Sequence, residues 1–388
     1  MKKIYFMLSI VLISISLLMT TVVGCTTTVA PQTTTAAPQT TAAAAETTEE
    51  KMNKPPYVTN FPWGEFSLNP KIASKIENNE PLNFVVSCLM MGSVGAQAQL
   101  KKGIDAAVIE MEEAYDVKIN VRMVGPVAQD LQQQIALLEP LIQAGQVDSL
   151  AIWAADAHSF DYIVERLMND GIPTFDLNTD SPESRRIAFF GAQDTPDGNG
   201  IQLAEFALDW AKKNDFTFKT LALTTGDETG AWAQGRMEAF SKTIKAAVPD
   251  LVIYGTPNQA AVNTGWVSAD MYSKIKAFLI GHPDVNFVFN SDWGGPSAAQ
   301  AIIDLGRVGE AYVACYNQDE KILGMIGEPN SPLIGTADQN YVAQGNACIL
   351  GMSEFLFDGM IPENGYTYTP IQIISAENVD EMKVELGY

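Results

Sequence analysis

Short runs of branched and aromatic apolar residues alternate with longer segments of helical period along most of this chain. The short runs fall at Phe84–Leu89, Lys118–Val124, Ser149–Trp153, Thr174–Leu177, Ile187–Phe190 and Thr220–Thr224. They continue at Leu251–Tyr254, Asn286–Asn290, Ala311–Tyr316, Leu333–Thr336 and Ile371–Ile374. Between them lie Gln97–Tyr115, Leu131–Ala144, Ser159–Asp170, Gly200–Lys213, Trp232–Ala247, Ser268–Gly281, Pro296–Leu305 and Tyr341–Asp358. Within these, apolar residues recur at three- and four-residue steps, as in Ile135, Leu138, Leu141 and Ile142. Strand–helix alternation sustained over such a length predicts an α/β architecture with parallel sheets. Strands that are apolar throughout fit sheets covered by helices on both faces. The stretch from Tyr57 to Tyr388 is about 330 residues, beyond the size at which one hydrophobic core stops growing, so two lobes are expected.

The N-terminus reads differently. Lys2 and Lys3 precede an apolar run from Ile4 to Val23, the layout of a secretory signal peptide over residues 1–24. The closing Val22-Val23-Gly24-Cys25 resembles a bacterial lipobox, a signal class in which the cysteine is lipid-modified and leads the mature chain. The plainer account is a signal anchor with a chance cysteine. Residues 25–56 are almost free of large apolar side chains and predict a disordered Thr/Ala/Pro tether. A tether of that length reaches ~30 Å on random-coil scaling. Residues 57–82 are an extension expected to dock on the surface of the first lobe.

Charge and cysteine usage narrow the partners. With 46 acidic against 24 basic residues, the formal net charge is −22. Such a surface repels phosphate backbones and anionic lipid heads, which argues against nucleic acid and against a second membrane-binding face. Of the four cysteines, Cys25 is assigned to lipid, and Cys88, Cys315 and Cys348 each sit in an apolar stretch. They read as buried free thiols, with a Cys88–Cys315 bridge left open.

The carboxyl ends of the strand runs are rich in polar and aromatic residues. Trp153 leads to Asp156, Leu177 to Asn178-Thr179-Asp180, and Phe289 to Asn290-Ser291-Asp292-Trp293. Tyr316 leads to Asn317-Gln318-Asp319, and Thr336 to Asp338-Gln339-Asn340. In open parallel sheets this is where ligands bind. Helix capping alone would account for Asp156, Asp180 and Asp319 equally well. It does not account for indoles at Trp153, Trp293 and the loop residue Trp266. Aromatic faces beside amides and carboxylates suit a sugar, whose C–H face stacks while its hydroxyls bond to Asn, Asp, Gln and Arg.

Catalytic signatures are missing from the sequence. Its two histidines, His158 and His282, have no cysteine or histidine spaced as metal ligands would be, so no metal or cofactor is expected. There is no G-x-S-x-G elbow and no phosphate-binding P-loop. Asp194–Asn199 lacks the ligand spacing and closing Glu of a calcium loop. An enzyme is not expected.

In register over these landmarks, the chain resembles the type I periplasmic binding proteins, in particular the ribose/galactose-binding branch serving sugar ABC transporters. The segments that carry the likeness are FVVSCLMMGS, DGIPTFDLNTD, FFGAQDTPDGNGIQLAEF, GDETGAWAQGRMEAF, HPDVNFVFNSDWGGPSAAQAI, YVACYNQDE and LIGTADQNYVAQG. The resemblance implies two Rossmann-like lobes joined by three crossovers near Gly191–Thr195, Ala337–Gln339 and Gly365–Gln372. Lobe 1 would be residues 83–190 with 340–364, and lobe 2 residues 191–339 with 365–388. It further implies a monomer that closes on a small sugar-like ligand and docks on an ABC permease at an extracytoplasmic membrane face.

Ligand positions carry over to Asn178 and Thr179, where ribose binders have Asp-Arg, and to Gln234, where Arg is frequent. They carry over as well to Trp266, Asp292, Trp293, Asn317 and Gln339, with Trp153 and the first-loop Ser93 beside them. Loss of charged residues at 178, 179 and 234 points to a neutral ligand other than plain ribose. A sensor of autoinducer-2 or sugar would share the fold and site. A cleft hydrolase is the more distant alternative.

Overall fold

The computed structural model describes residues 58–92, 94–265 and 267–388. A hairpin of β1 (Val58–Phe61) and β2 (Gly64–Ser67) leads through α1 (Pro70–Glu77) to β3 (Leu82–Ser87), α2 (Val94–Tyr115) and β4 (Ile119–Val124). Next come α3 (Leu131–Gln143), β5 (Ser149–Ile152), α4 (Asp161–Asn169), β6 (Thr174–Leu177) and β7 (Phe189–Ala192). The chain then runs through α5 (Gly200–Lys213), β8 (Thr220–Thr225), α6 (Ala231–Ala247), β9 (Val252–Thr256), β10 (Gln259–Ala260) and β11 (Val262–Asn263). It continues with α7 (Ser268–Gly281), β12 (Phe287–Asn290), α8 (Gly295–Asp304), β13 (Tyr312–Tyr316), α9 (Glu320–Met325) and β14 (Leu333–Asp338). Helix α10 (Tyr341–Asp358), strands β15 (Tyr366–Thr369) and β16 (Gln372–Ser375), and α11 (Val379–Leu386) follow.

Two sheets organise these elements. The first has the order β15-β7-β6-β5-β3-β4 and is parallel throughout. The second runs β10-β9-β8-β12-β13-β14-β16, with β11 added to β8; only the β10–β9 and β14–β16 pairings are antiparallel. Strands β5, β6, β8, β12 and β14 are buried at every position, the signature of sheets covered on both faces. Alternate residues feed opposite layers. In β12, Phe287 and Phe289 pack with Phe240 on one side, and Val288 packs with Ile275 and Ile302 on the other.

Three connections join the sheets. The first leaves β7 for α5, and the second leaves β14 for α10, which packs on the first sheet's core. The third is Pro370-Ile371, between β15 and β16. One expected boundary shifts here. Tyr366–Thr369 is expected within the third crossover, Gly365–Gln372, counted with lobe 2, yet β15 pairs in parallel with β7 at the edge of the first sheet. The second-lobe segment therefore begins after Thr369. Similarly, Gly191 and Ala192 extend β7 within the first sheet.

The extension docks on the first lobe. Phe66 and Ile72 enter its core, and the Phe61 ring lies 6.5 Å from Phe355. Lys75 reaches the buried carboxylate of Asp148 at 2.7 Å. Cys88, Cys315 and Cys348 are buried free thiols, with Cys88 in the first core and Cys315 in the second sheet, so the Cys88–Cys315 bridge does not form. No helix among the described residues is long and apolar enough to cross a membrane. The signal peptide, Cys25 and the tether lie outside the described residues, as do Ser93 and Trp266.

Candidate functional site

A cavity opens between the lobes, walled by residues that follow the carboxyl ends of strands in both sheets. Trp153 follows β5, Asn178 and Thr179 follow β6, Asp292 and Trp293 follow β12, Asn317 follows β13 and Gln339 follows β14; all of them line it. The topology explains the convergence, since loops at that edge of a parallel sheet carry the ligand-facing side chains. The cavity itself measures about 40 Å³, between flanking spaces of about 690 and 540 Å³.

Its polar floor is a chain of side-chain amides. Asn178 Nδ2 donates to Gln339 Oε1 and to Gln344 Oε1, both at 2.9 Å. Gln339 Nε2 in turn donates to Asn317 Oδ1 and lies 3.1 Å from the Tyr341 hydroxyl. Gln344 Nε2 donates back to the Gln339 carbonyl at 2.9 Å. Asn178 and Asn317 sit at φ +64° and +70°, left-handed conformations that asparagine tolerates better than most residues. Both turns occur immediately after a strand and aim the amides into the cleft. Asn317 Nδ2 is buried without a partner, a free donor at the cavity wall.

Asp292 is fully buried and held by the backbone N–H groups of Gly226 and Gly294, the latter at 3.0 Å, and by the Thr225 hydroxyl at 3.4 Å. Burial pushes its carboxyl up to about 6, against the opposing pull of those N–H donors and of Arg236. Aromatic walls complete the site. Trp153 stacks on Tyr341 with centroids 5.5 Å apart and planes at 29°. Trp232 and Trp293 stand on the second-lobe side.

Gln234 does not reach this cavity. Its amide turns away and donates to the Glu228 carbonyl at 2.9 Å. The positively charged contributor is Arg236, with Trp232 beside it in the wall. Residues 232 and 236 lie one helical turn apart on α6 and share a face, while residue 234 is about 160° away from 236 on a 3.6-residue helix. That spacing was the available signal. Arg236 is 3% exposed, forms a bidentate pair with Asp194 and donates to the Ser291 carbonyl at 3.0 Å. Its guanidinium lies 4.3 Å from the Tyr316 ring centroid and 5.0 Å from that of Trp232. Tyr341, Trp232 and Gln129 are further polar or aromatic lining residues that strand-end reading missed, as are the apolar Leu89, Met90 and Ala155. Among the described residues no group of His, Cys, Asp or Glu is placed to hold a metal, and neither histidine lines the central cavity.

The profile of a family described as "Periplasmic binding protein domain" matches residues 91–356. No curated protein matches the chain. Solved structures do. A glucose-galactose binding protein from Geobacillus stearothermophilus is 20% identical with a TM-score of 0.65, covering 77% of this chain and 99% of its own. An arabinose binding protein from the same organism is 18% identical with a TM-score of 0.63, covering 78% and 99%. A sugar-binding protein of a sugar ABC transporter from Bacillus halodurans is 20% identical with a TM-score of 0.62, again covering 78% and 99%.

Proposed function

The chain belongs to the periplasmic binding protein family, and from that premise we propose that it captures a small neutral sugar for an ABC importer. The observation that carries this reading is the cavity wall, where indole and phenol rings alternate with the amides of Asn178, Asn317 and Gln339 and the Asp292 carboxylate. Rings take the C–H face of a sugar, and the amides and carboxylate take its hydroxyls. The guanidinium of Arg236, the one cationic side chain lining the central cavity among the described residues, is already neutralised by Asp194, which does not favour an anionic ligand. The names of the similar structures, a glucose-galactose and an arabinose binding protein among them, point the same way.

In this reading the protein is exported and held at the extracytoplasmic membrane face through Cys25, and it works as a monomer without catalysis. Ligand contacts come from both lobes, so binding favours the closed arrangement, which docks on the permease. In the conformation described, Gln339 bonds to Asn178 and Asn317 across a cavity of about 40 Å³. A ring-sized ligand enters by parting the lobes and replacing those amide–amide bonds with its own hydroxyls. Ser93 in the first lobe's first loop and Trp266 in a second-lobe loop are proposed as further contacts.

The test is a thermal-shift screen of purified protein against monosaccharides, polyols, nucleosides and autoinducer-2, followed by calorimetry. A ligand at 100 times its dissociation constant adds about 2.7 kcal/mol of stability. A clear shift with a neutral sugar supports the reading. A flat screen, repeated on protein unfolded and refolded to remove any carried-over ligand, overturns it.

A further inference from the structure

The geometry points to a second sugar subsite beside the central cavity, so that the ligand is a disaccharide or other glycoside; this rests on the sugar-binding reading above. Three residues of the central wall, Met90, Gln129 and Trp293, also line a neighbouring space of about 690 Å³. Two rings joined by a glycosidic bond would pass this shared wall, one in each space. A single ring at the centre would leave the larger space unfilled, although small-molecule sites typically bury most of the ligand's surface.

Charged Asp319, Glu320 and Lys321 line that neighbouring space, and two of its amides are placed for hydroxyls. Gln318 is 2% exposed, and its Oε1 accepts from the Tyr388 hydroxyl at 2.6 Å, yet its Nε2 is buried without a partner. Gln129 Oε1 is likewise buried and unpaired. An unpaired buried donor or acceptor costs about 1–3 kcal/mol, so two of them along one wall call for a partner that donates and accepts. A sugar hydroxyl does both. Both groups are neutral amides, and the Asp319 carboxylate nearby already caps α9 by accepting from Ile322 N at 2.7 Å. Among the described residues, none that lines the flanking space on the other side, about 540 Å³ and including Tyr366 and Tyr368, has a buried side-chain polar atom without a partner. The second ring is therefore assigned to the Gln318 side.

Calorimetry on purified protein tests this with matched probes: glucose with maltose and cellobiose, galactose with β-1,4-galactobiose, xylose with xylobiose, and arabinose with arabinobiose. The expected result is one disaccharide binding at least about tenfold more tightly than its own monosaccharide, the scale of one or two buried hydrogen bonds. Gln318→Ala should bring that disaccharide back to the monosaccharide's affinity while the monosaccharide's own affinity changes less than about twofold. The unchanged monosaccharide affinity also reports that the variant is folded. Monosaccharides binding as tightly as every disaccharide, or equal losses for both in Gln318→Ala, overturn the second subsite and leave the proposed function standing. Binding of no sugar at all removes both.

Discussion

Arg236 on α6 and Asp194 in the first interlobe connection form a buried bidentate ion pair, Nε to Oδ1 at 2.9 Å and Nη2 to Oδ2 at 2.5 Å. The pair ties the connection to the second lobe and holds a guanidinium beside the cavity. Gly235 permits the approach, because a Cβ there would collide with the Asp194 carbonyl oxygen. Removing one partner of such a pair leaves an uncompensated buried charge. Asp194→Ala should destabilise the protein by about 3–5 kcal/mol. Urea unfolding checks the value, and a loss under about 1 kcal/mol, as for an exposed pair, would show that solvent reaches the guanidinium.

Asp292 predicts a pH dependence of stability. Its carboxyl lies at about 6 in the folded protein against 3.8 as the ordinary value, raised mainly by burial. Between those values the folded state binds more protons than the unfolded one, so stability falls as pH rises through that window and levels off above it. The contribution present below pH ~4 and absent at neutral pH is at most a few kcal/mol. Melting temperatures measured from pH 4.5 to 7.5 should decline more steeply in the native protein than in Asp292→Asn. Parallel curves would sink the assignment.

Strands β5, β6, β8, β12 and β14 were legible in the sequence because each is buried on both faces and so carries apolar residues on both, interrupted by only a few polar ones such as the threonines of β8 and Asp176 in β6. Strand β15, with the sequence YTYT, was not; it is a half-buried edge strand whose Tyr/Thr alternation carries little apolar signal. The four-residue strands of the β1–β2 hairpin were equally silent. For the candidate site, Asn178, Asp292, Asn317 and Gln339 could be placed because each lies within two residues of a strand's carboxyl end. Arg236 and Trp232 lie on a helix, where position along the chain says little until the angular phase is known. Tyr341 was hidden differently, as the first residue of a helix whose apolar face it shares.

The three thiols give a chemical test of that burial. Cys88, Cys315 and Cys348 are all 0% exposed, and burial pushes the Cys88 and Cys315 thiols up to about 12. The thiolate is the reactive species, so native protein at pH 8 should react with a thiol reagent far more slowly than model thiols do. In denaturant without reductant all three should titrate freely. A missing pair of thiols in denaturant would reveal a disulfide that the fold does not contain.

Helices α2 and α10 cross so closely that two glycines are required at the contact. A Cβ at Gly103 would press on the Val342 carbonyl oxygen, and one at Gly345 on that of Leu100. Neither glycine has a left-handed backbone, so the requirement is close approach alone. Alanine raises intrinsic helix propensity by about 1 kcal/mol over glycine, which opposes the clash. Overpacking costs about 1–3 kcal/mol for each added methyl that has no room. At contacts against backbone the clash should win, so Gly103→Ala and Gly345→Ala each lower the urea midpoint without changing the slope. Because α10 begins at Tyr341, which stacks on Trp153, the same variants should also weaken ligand binding. A midpoint at or above the native value would mean that the helices separate at no cost and that the first lobe is less tightly built around this crossing than its geometry indicates.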